Sequence, residues 1–78
     1  MEAERPRGRE TPSARVETDL RRRIAAGEWG PGERLPSVAQ LAEEYETSRA
    51  SVAKALGRMG EAGLVEVVPN WGTFRAEA

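Results

Sequence analysis

Three apolar stripes and one run of β-formers organise this chain. Val16, Leu20 and Ile24 recur every four residues, which places them one above another on a single helical face. Thr11 precedes Pro12 at the start of this run. A threonine hydroxyl can accept a hydrogen bond from one of the unpaired amides of a first helical turn, and proline fits the first helical position because it has no N–H to leave unpaired. Gly27 ends this first predicted helix. Trp29 follows, and Pro31-Gly32 predicts a reversal of the chain, with room for a very short strand at Arg34-Leu35.

Ser37 with Gln40 three positions on forms a capping-box pattern, and Val38, Leu41, Ala42 and Tyr45 follow at i, i+3, i+4 and i+7. Only Glu46 and Thr47 separate this second helix from Ser48, another N-cap candidate, after which Val52, Ala55, Leu56 and Met59 repeat the spacing. Two short capped helices joined so tightly are the sequence form of a helix-turn-helix. Gly63 stops the third helix. Leu64, Val65, Val67 and Val68 favour a strand, Pro69-Asn70 a turn, and Gly72-Thr73-Phe74-Arg75 a returning partner strand. The predicted fold is therefore α+β, a small winged helix-turn-helix with a three-helix core and a two-stranded β-wing. The likeness between the second and third helices is what any two amphipathic helices share, and no internal repeat is present.

Size and composition narrow the chemistry. Seventy-eight residues make one domain with one modest core. Residues 11–78 are assigned to it, and residues 1–10, whose only apolar members are Met1, Ala3 and Pro6, read as a disordered N-terminal arm. The chain has no Cys and no His, so it lacks disulfides, thiolate metal sites and the usual near-neutral general base. No catalytic residue, metal ligand or cofactor site is expected, and an enzyme is disfavoured. The run Leu64 to Val68 is broken by Glu66 and is far shorter than the roughly 20 residues that a bilayer requires. No signal-peptide core precedes it, so no membrane contact and a cytoplasmic, nucleoid-associated location are expected.

Net charge complicates a nucleic-acid reading, since 12 basic residues face 13 acidic ones, a net of −1. The charges are nevertheless partitioned. Ser48 to Gly60 holds Arg49, Lys54 and Arg58 and no acid, whereas Ser37 to Glu46 holds Glu43, Glu44 and Glu46 and no base. At 100° per residue, the stripe centred on Val52 and Met59 turns Ala50, Lys54, Gly57, Arg58 and Glu61 to the opposite face, with Arg49 on its rim. Small residues at Ala50 and Gly57 leave room for a helix backbone to approach base edges. The bland alternative is an ordinary solvated helix face.

From Ile24 to Arg75 the sequence resembles the DNA-binding domain of the GntR family of bacterial transcription regulators. The matching elements are the helix end Ile24 to Gly27, PGERLPS (Pro31 to Ser37), LAEEY (Leu41 to Tyr45), SRASV (Ser48 to Val52), KAL (Lys54 to Leu56), GLVE (Gly63 to Glu66) and GTF (Gly72 to Phe74). The resemblance implies that Arg34 and Ser37 contact the DNA backbone, that Ser48 and Ser51 bind phosphate or position the third helix, and that Arg49 reads a base, typically guanine by a bidentate contact. It also implies that Gly72 and Thr73 place the wing over the minor groove. Ser37 and Ser48 serve equally well as plain N-caps, and Arg34 as a surface charge.

Departures from the family pattern are informative. Ala39 and Ala53 stand where the family usually has Arg, which implies weaker binding or a different sequence preference. Glu46-Thr47 replaces a common Gly-Val pair, so Glu46 is expected to take the left-handed conformation. Trp71 stands at the wing tip, either as a hydrophobic brace against the domain or as a group meeting the sugar-phosphate edge. Family members normally continue into an effector-binding, dimerising domain that does not fit after Ala78, so the chain reads either as a stand-alone DNA-binding module or as an excised fragment of a longer regulator, and no small-molecule effector site is evident in it. The expected function is sequence-specific binding of double-stranded DNA by a bacterial regulator, a repressor, with a second copy of itself on a two-half-site operator. The alternative is a winged-helix protein-protein interaction module, suited by the acidic second helix, Trp71 and the near-neutral charge.

Overall fold

A computed structural model describes residues 11–77, and the expected arm, Met1 to Glu10, lies outside them. Three helices, α1 (Pro12–Ala25), α2 (Val38–Glu44) and α3 (Arg49–Glu61), are followed by strands β1 (Val65–Val68) and β2 (Gly72–Arg75). This is the expected winged helix-turn-helix.

Each helix starts where a hydroxyl is available. Thr11 accepts from the Ala14 amide with Pro12 in the first turn, Ser48 accepts from Ser51, and Ser37 and Gln40 form the reciprocal capping box. The helix ends also follow the sequence, with Gly27 and Gly63 at positive φ just beyond α1 and α3. Tyr45 differs from its expected place within the second helix, because it is the C-cap residue of α2 and only half-buried.

The core fills the space between the three helices and the base of the wing. Val16, Leu20 and Ile24 of α1 join Leu41 and Ala42 of α2 and Val52, Ala55, Leu56 and Met59 of α3, closed by Trp29, Leu35 and Val65. Antiparallel β1 and β2 pair Val65 with Arg75 and Val68 with Gly72. The short segment expected at Arg34-Leu35 bridges to Phe74, and the Leu35 amide donates to the Thr73 carbonyl at 2.8 Å. The wing is thereby tied to the chain that leads into α2. At its tip, the Trp71 amide donates to the Val68 carbonyl across Pro69 and Asn70, with Asn70 at φ 66°. Proline followed by a positive-φ residue is the type II pattern.

Glu46 takes φ 54° in the turn between α2 and α3, as the replacement of glycine there requires. A left-handed conformation costs an L-residue about 1–2 kcal/mol, and glycine pays back part of that gain through its unfolded-state entropy. Glu46→Gly is therefore expected to raise the unfolding free energy by about 0.5–1 kcal/mol. Urea denaturation checks this, and a destabilised Gly variant would show that the Glu46 side chain stabilises the turn.

Candidate nucleic-acid interface

The apolar stripe of α3 is consumed by the core, which leaves Arg49, Ala50, Ala53, Lys54 and Gly57 exposed on the other side. Neither Arg49 nor Lys54 forms an ion pair with another described residue. A Cβ added at Gly57 would meet nothing within 4 Å, so packing within the chain does not require glycine there. Ser48 and Ser51 sit at the amino end of α3, their hydroxyls 3.1 Å apart. The Ser48 hydroxyl accepts the Ser51 amide at 3.1 Å, and Ser48 remains exposed. It caps the helix and still has a surface to offer.

The approach from α2 completes this side of the molecule. Arg49 shares a shallow depression with Ala39 and Glu43. Ser37, exposed at the start of α2, accepts from the Gln40 amide at 3.1 Å. Arg34 lies across the wing, with its Nε only 2.7 Å from where a Cβ on Gly72 would stand. The φ of 141° at Gly72 is what calls for glycine there. Arg34, Ser37, Trp71 and Gly72 line one groove between the wing tip and α2.

Two expectations need correction, and one of the two readings of Trp71 falls away. Arg58 is not, like Lys54, an unpaired cation among the described residues: its Nε donates to Glu17 of α1 at 2.7 Å and its Nη2 to the Ser13 hydroxyl at 3.1 Å, while its side chain stays 41 % exposed. The helical wheel placed Arg58 on the outer half, but α1 passes along that edge and Glu17 reaches it. Thr73 is only 5 % exposed, since its strand position turns the side chain inward, so its side chain offers little to a ligand. Trp71 is 71 % exposed, which excludes its acting as a brace against the domain.

The sequence reading also missed the polar contacts that hold α1 in register. The Arg23 side chain is only 13 % exposed. Its guanidinium lies 4.8 Å from the Trp29 ring centre and donates to Glu28, to Glu44 and to the Tyr45 hydroxyl. Tyr45 in turn donates to Asp19, and burial, reinforced by Asp19, pushes its phenol up to about 12. Ser13 and Glu17, four residues apart beside the apolar stripe, were the available signal for an inter-helix contact. Among the described residues, no group of three or more His, Cys, Asp or Glu is placed to hold a metal ion, and no helix is long and apolar enough to cross a membrane.

Residues 12–74 match the sequence pattern described as bacterial regulatory proteins, gntR family. The chain belongs to the GntR family. Among its relatives, the histidine utilization repressor of Klebsiella aerogenes is 33% identical over 99% of this chain and 32% of its own length. The HTH-type transcriptional regulator LutR of Bacillus subtilis (strain 168) is 43% identical over 69% of this chain and 25% of its own length. This GntR chain thus spans a third or less of the curated relatives it matches. Its fold superposes on the AraR DNA-binding domain solved in complex with operator ORX1, with a TM-score of 0.82 and 29% identity over 85% of this chain and 80% of that one. A GntR family transcriptional regulator from Listeria monocytogenes shares the fold, with a TM-score of 0.85 at 20% identity over 90% of this chain and 61% of that one.

The Arg58 guanidinium bonded to Glu17 holds that carboxyl below the usual range against the opposing effect of burial, and the Tyr45 hydroxyl does the same for Asp19. Carboxylates depressed in the folded state contribute stability above their unfolded pKa of about 4, and that contribution is lost as pH falls through the folded value. Unfolding free energy should therefore decline as pH falls from about 5 toward 2, with a shallower decline in Glu17→Gln. Denaturation series at several pH values test this, and parallel curves for the two chains would exclude Glu17 as a contributor.

Proposed function

We propose that this GntR chain binds double-stranded DNA sequence-specifically as the DNA-reading unit of a bacterial transcription repressor, with α3 in the major groove and the wing beside the minor groove. One observation carries the reading: the outward side of α3 combines two cations that pair with no acid among the described residues, Arg49 and Lys54, with side chains no larger than alanine at Ala50, Ala53 and Gly57. Small residues let the helix seat deeply, and the cations meet guanine edges and phosphates. Arg49 is the base reader, and Lys54, Ser48 and Ser51 hold phosphate. Arg34, Ser37, Trp71 and Gly72 extend the contact along α2 and the wing. The AraR domain, which has the same fold, is described as operator-bound, and this supports the assignment.

A single unit of this size buries a small interface, so tight binding calls for two copies on a two-half-site operator. The reading implies a cytoplasmic, nucleoid-associated protein.

Selection from a random duplex library would supply a preferred site, on which variants can be compared by fluorescence anisotropy. Arg49→Ala should lose on the order of 1–3 kcal/mol and relax the preference at one base pair. Lys54→Ala should weaken all sequences alike and lower the salt slope by about 1. Equal, sequence-independent losses from both variants would contradict the division of roles.

Exposed Val67 and Trp71 favour a second reading, a protein-interaction module. Salt titration on random duplex separates the two. Binding that falls steeply with added salt supports DNA recognition, and absence of binding even at low salt supports the module.

A further inference from the structure

The capping box at the start of α2 leaves a particular chemistry on its outer side. Its two hydrogen bonds run in opposite directions: the Ser37 amide donates to Gln40 Oε1 at 2.8 Å, and the Gln40 amide donates to the Ser37 hydroxyl oxygen at 3.1 Å. Each side chain thus uses an acceptor on the backbone. What each keeps is donors, the O–H of Ser37 and the two N–H groups of Gln40 Nε2. Both residues are exposed, and no acceptor among the described residues takes the Nε2 donors. With Oε1 held by the Ser37 amide, the carboxamide keeps one orientation and Nε2, at its other end, is turned away from that amide.

The surroundings decide which ligand such donors suit. Ser37 and Gln40 line a shallow depression in which Arg34 is the one charged residue among the described lining. Arg34 pairs with no acid among the described residues. On its other side Gln40 borders the depression that holds Arg49 together with Glu43 and Glu46. An anion is favoured on the first side, by a guanidinium and neutral donors, and is opposed by two carboxylates on the second.

We propose that Gln40 is a phosphate-binding residue, its Nε2 joining the Arg34 guanidinium and the Ser37 hydroxyl around one backbone phosphate of the duplex that α3 reads. The proposal rests on the α3 reading. A donor already held in place by the capping box gives up little side-chain freedom on binding. The contact positions the domain and carries no sequence information. Arg34 also lies beside Gly72, so one phosphate sets both α2 and the wing against the duplex backbone.

Gln40→Glu separates capping from phosphate binding. A glutamate carboxylate still accepts the Ser37 amide and completes the capping box, but it offers phosphate a negative charge in place of two donors. Gln40→Ala removes both the cap bond and the donors. Stability and affinity should therefore rank the chains differently. The melting temperature of Gln40→Glu should match that of the unmodified chain, and that of Gln40→Ala should be lower. Fluorescence anisotropy, at a temperature where all three are folded, should show Gln40→Ala weakened about threefold and Gln40→Glu about tenfold, by the same factors on the selected site and on random duplex. Unchanged binding by Gln40→Glu, or affinities that follow the melting temperatures, would overturn the phosphate role and leave the α3 reading standing. A loss confined to the selected site would overturn it too, by making Gln40 a base reader. If the unmodified chain binds neither duplex at low salt, the α3 reading fails and this contact with it.

Discussion

The packing of Val16, Leu20 and Ile24 of α1 against Val52, Ala55, Leu56 and Met59 of α3 is the contact on which the other features depend. Val16, Leu20, Val52, Leu56 and Met59 are among the largest fully buried side chains, and each contributes roughly 1.5–3 kcal/mol through burial. A domain this small removes only about 60 % of its unfolded surface from water. Truncating one such side chain to alanine costs about 2–5 kcal/mol, a large share of the 5–15 kcal/mol typical of a domain. The same packing fixes which side of α3 remains outside. Once the stripe is buried, Arg49, Ala50, Ala53, Lys54 and Gly57 have nowhere to face but solvent.

Polar contacts then set the register that the apolar stripes leave loose. Arg58 bonds to Glu17 and Ser13, and Tyr45 bonds to Asp19 while Arg23 bridges Glu28, Glu44 and Tyr45. Most of these contacts are part-buried and join residues far apart in the chain, so their main effect is geometric. They join α1 to α3 at one end and to α2 at the other. They also redistribute charge: with Arg58 held by Glu17, Arg49 and Lys54 are left as the cations of the outward side of α3.

This explains how a chain with net charge −1 can present a cationic patch. Acids on α1 are paired with arginines on α1 or α3, and Glu44 of α2 is paired with Arg23. The wing adds a different kind of surface. Hydrogen bonds from the Gly32 to Leu35 segment secure β2, while Trp71 and Val67 remain exposed. A secured base and an open tip suit a contact that must hold its position relative to α3.

Most of the architecture was determined by the sequence alone. Thr11, Ser37 and Ser48 set the helix starts, Gly27 and Gly63 the stops, and apolar spacing the buried faces, because each signal acts over three or four residues of the same element. The GntR pattern added the order of the parts and the strain at Glu46. What only the tertiary structure decided was the fate of side chains at the edges of those faces. Arg58 and Lys54 look alike on a helical wheel, yet α1 passes beside one of them and brings Glu17 with it. Thr73 and Trp71 are neighbours across Gly72, yet one is buried and the other open, since Thr73 lies within β2, held by the Leu35 bond to its carbonyl, while Trp71 belongs to the turn at the wing tip. Such outcomes depend on partners 40 or so residues away in the chain, and a local pattern carries no information about which distant side chain will arrive.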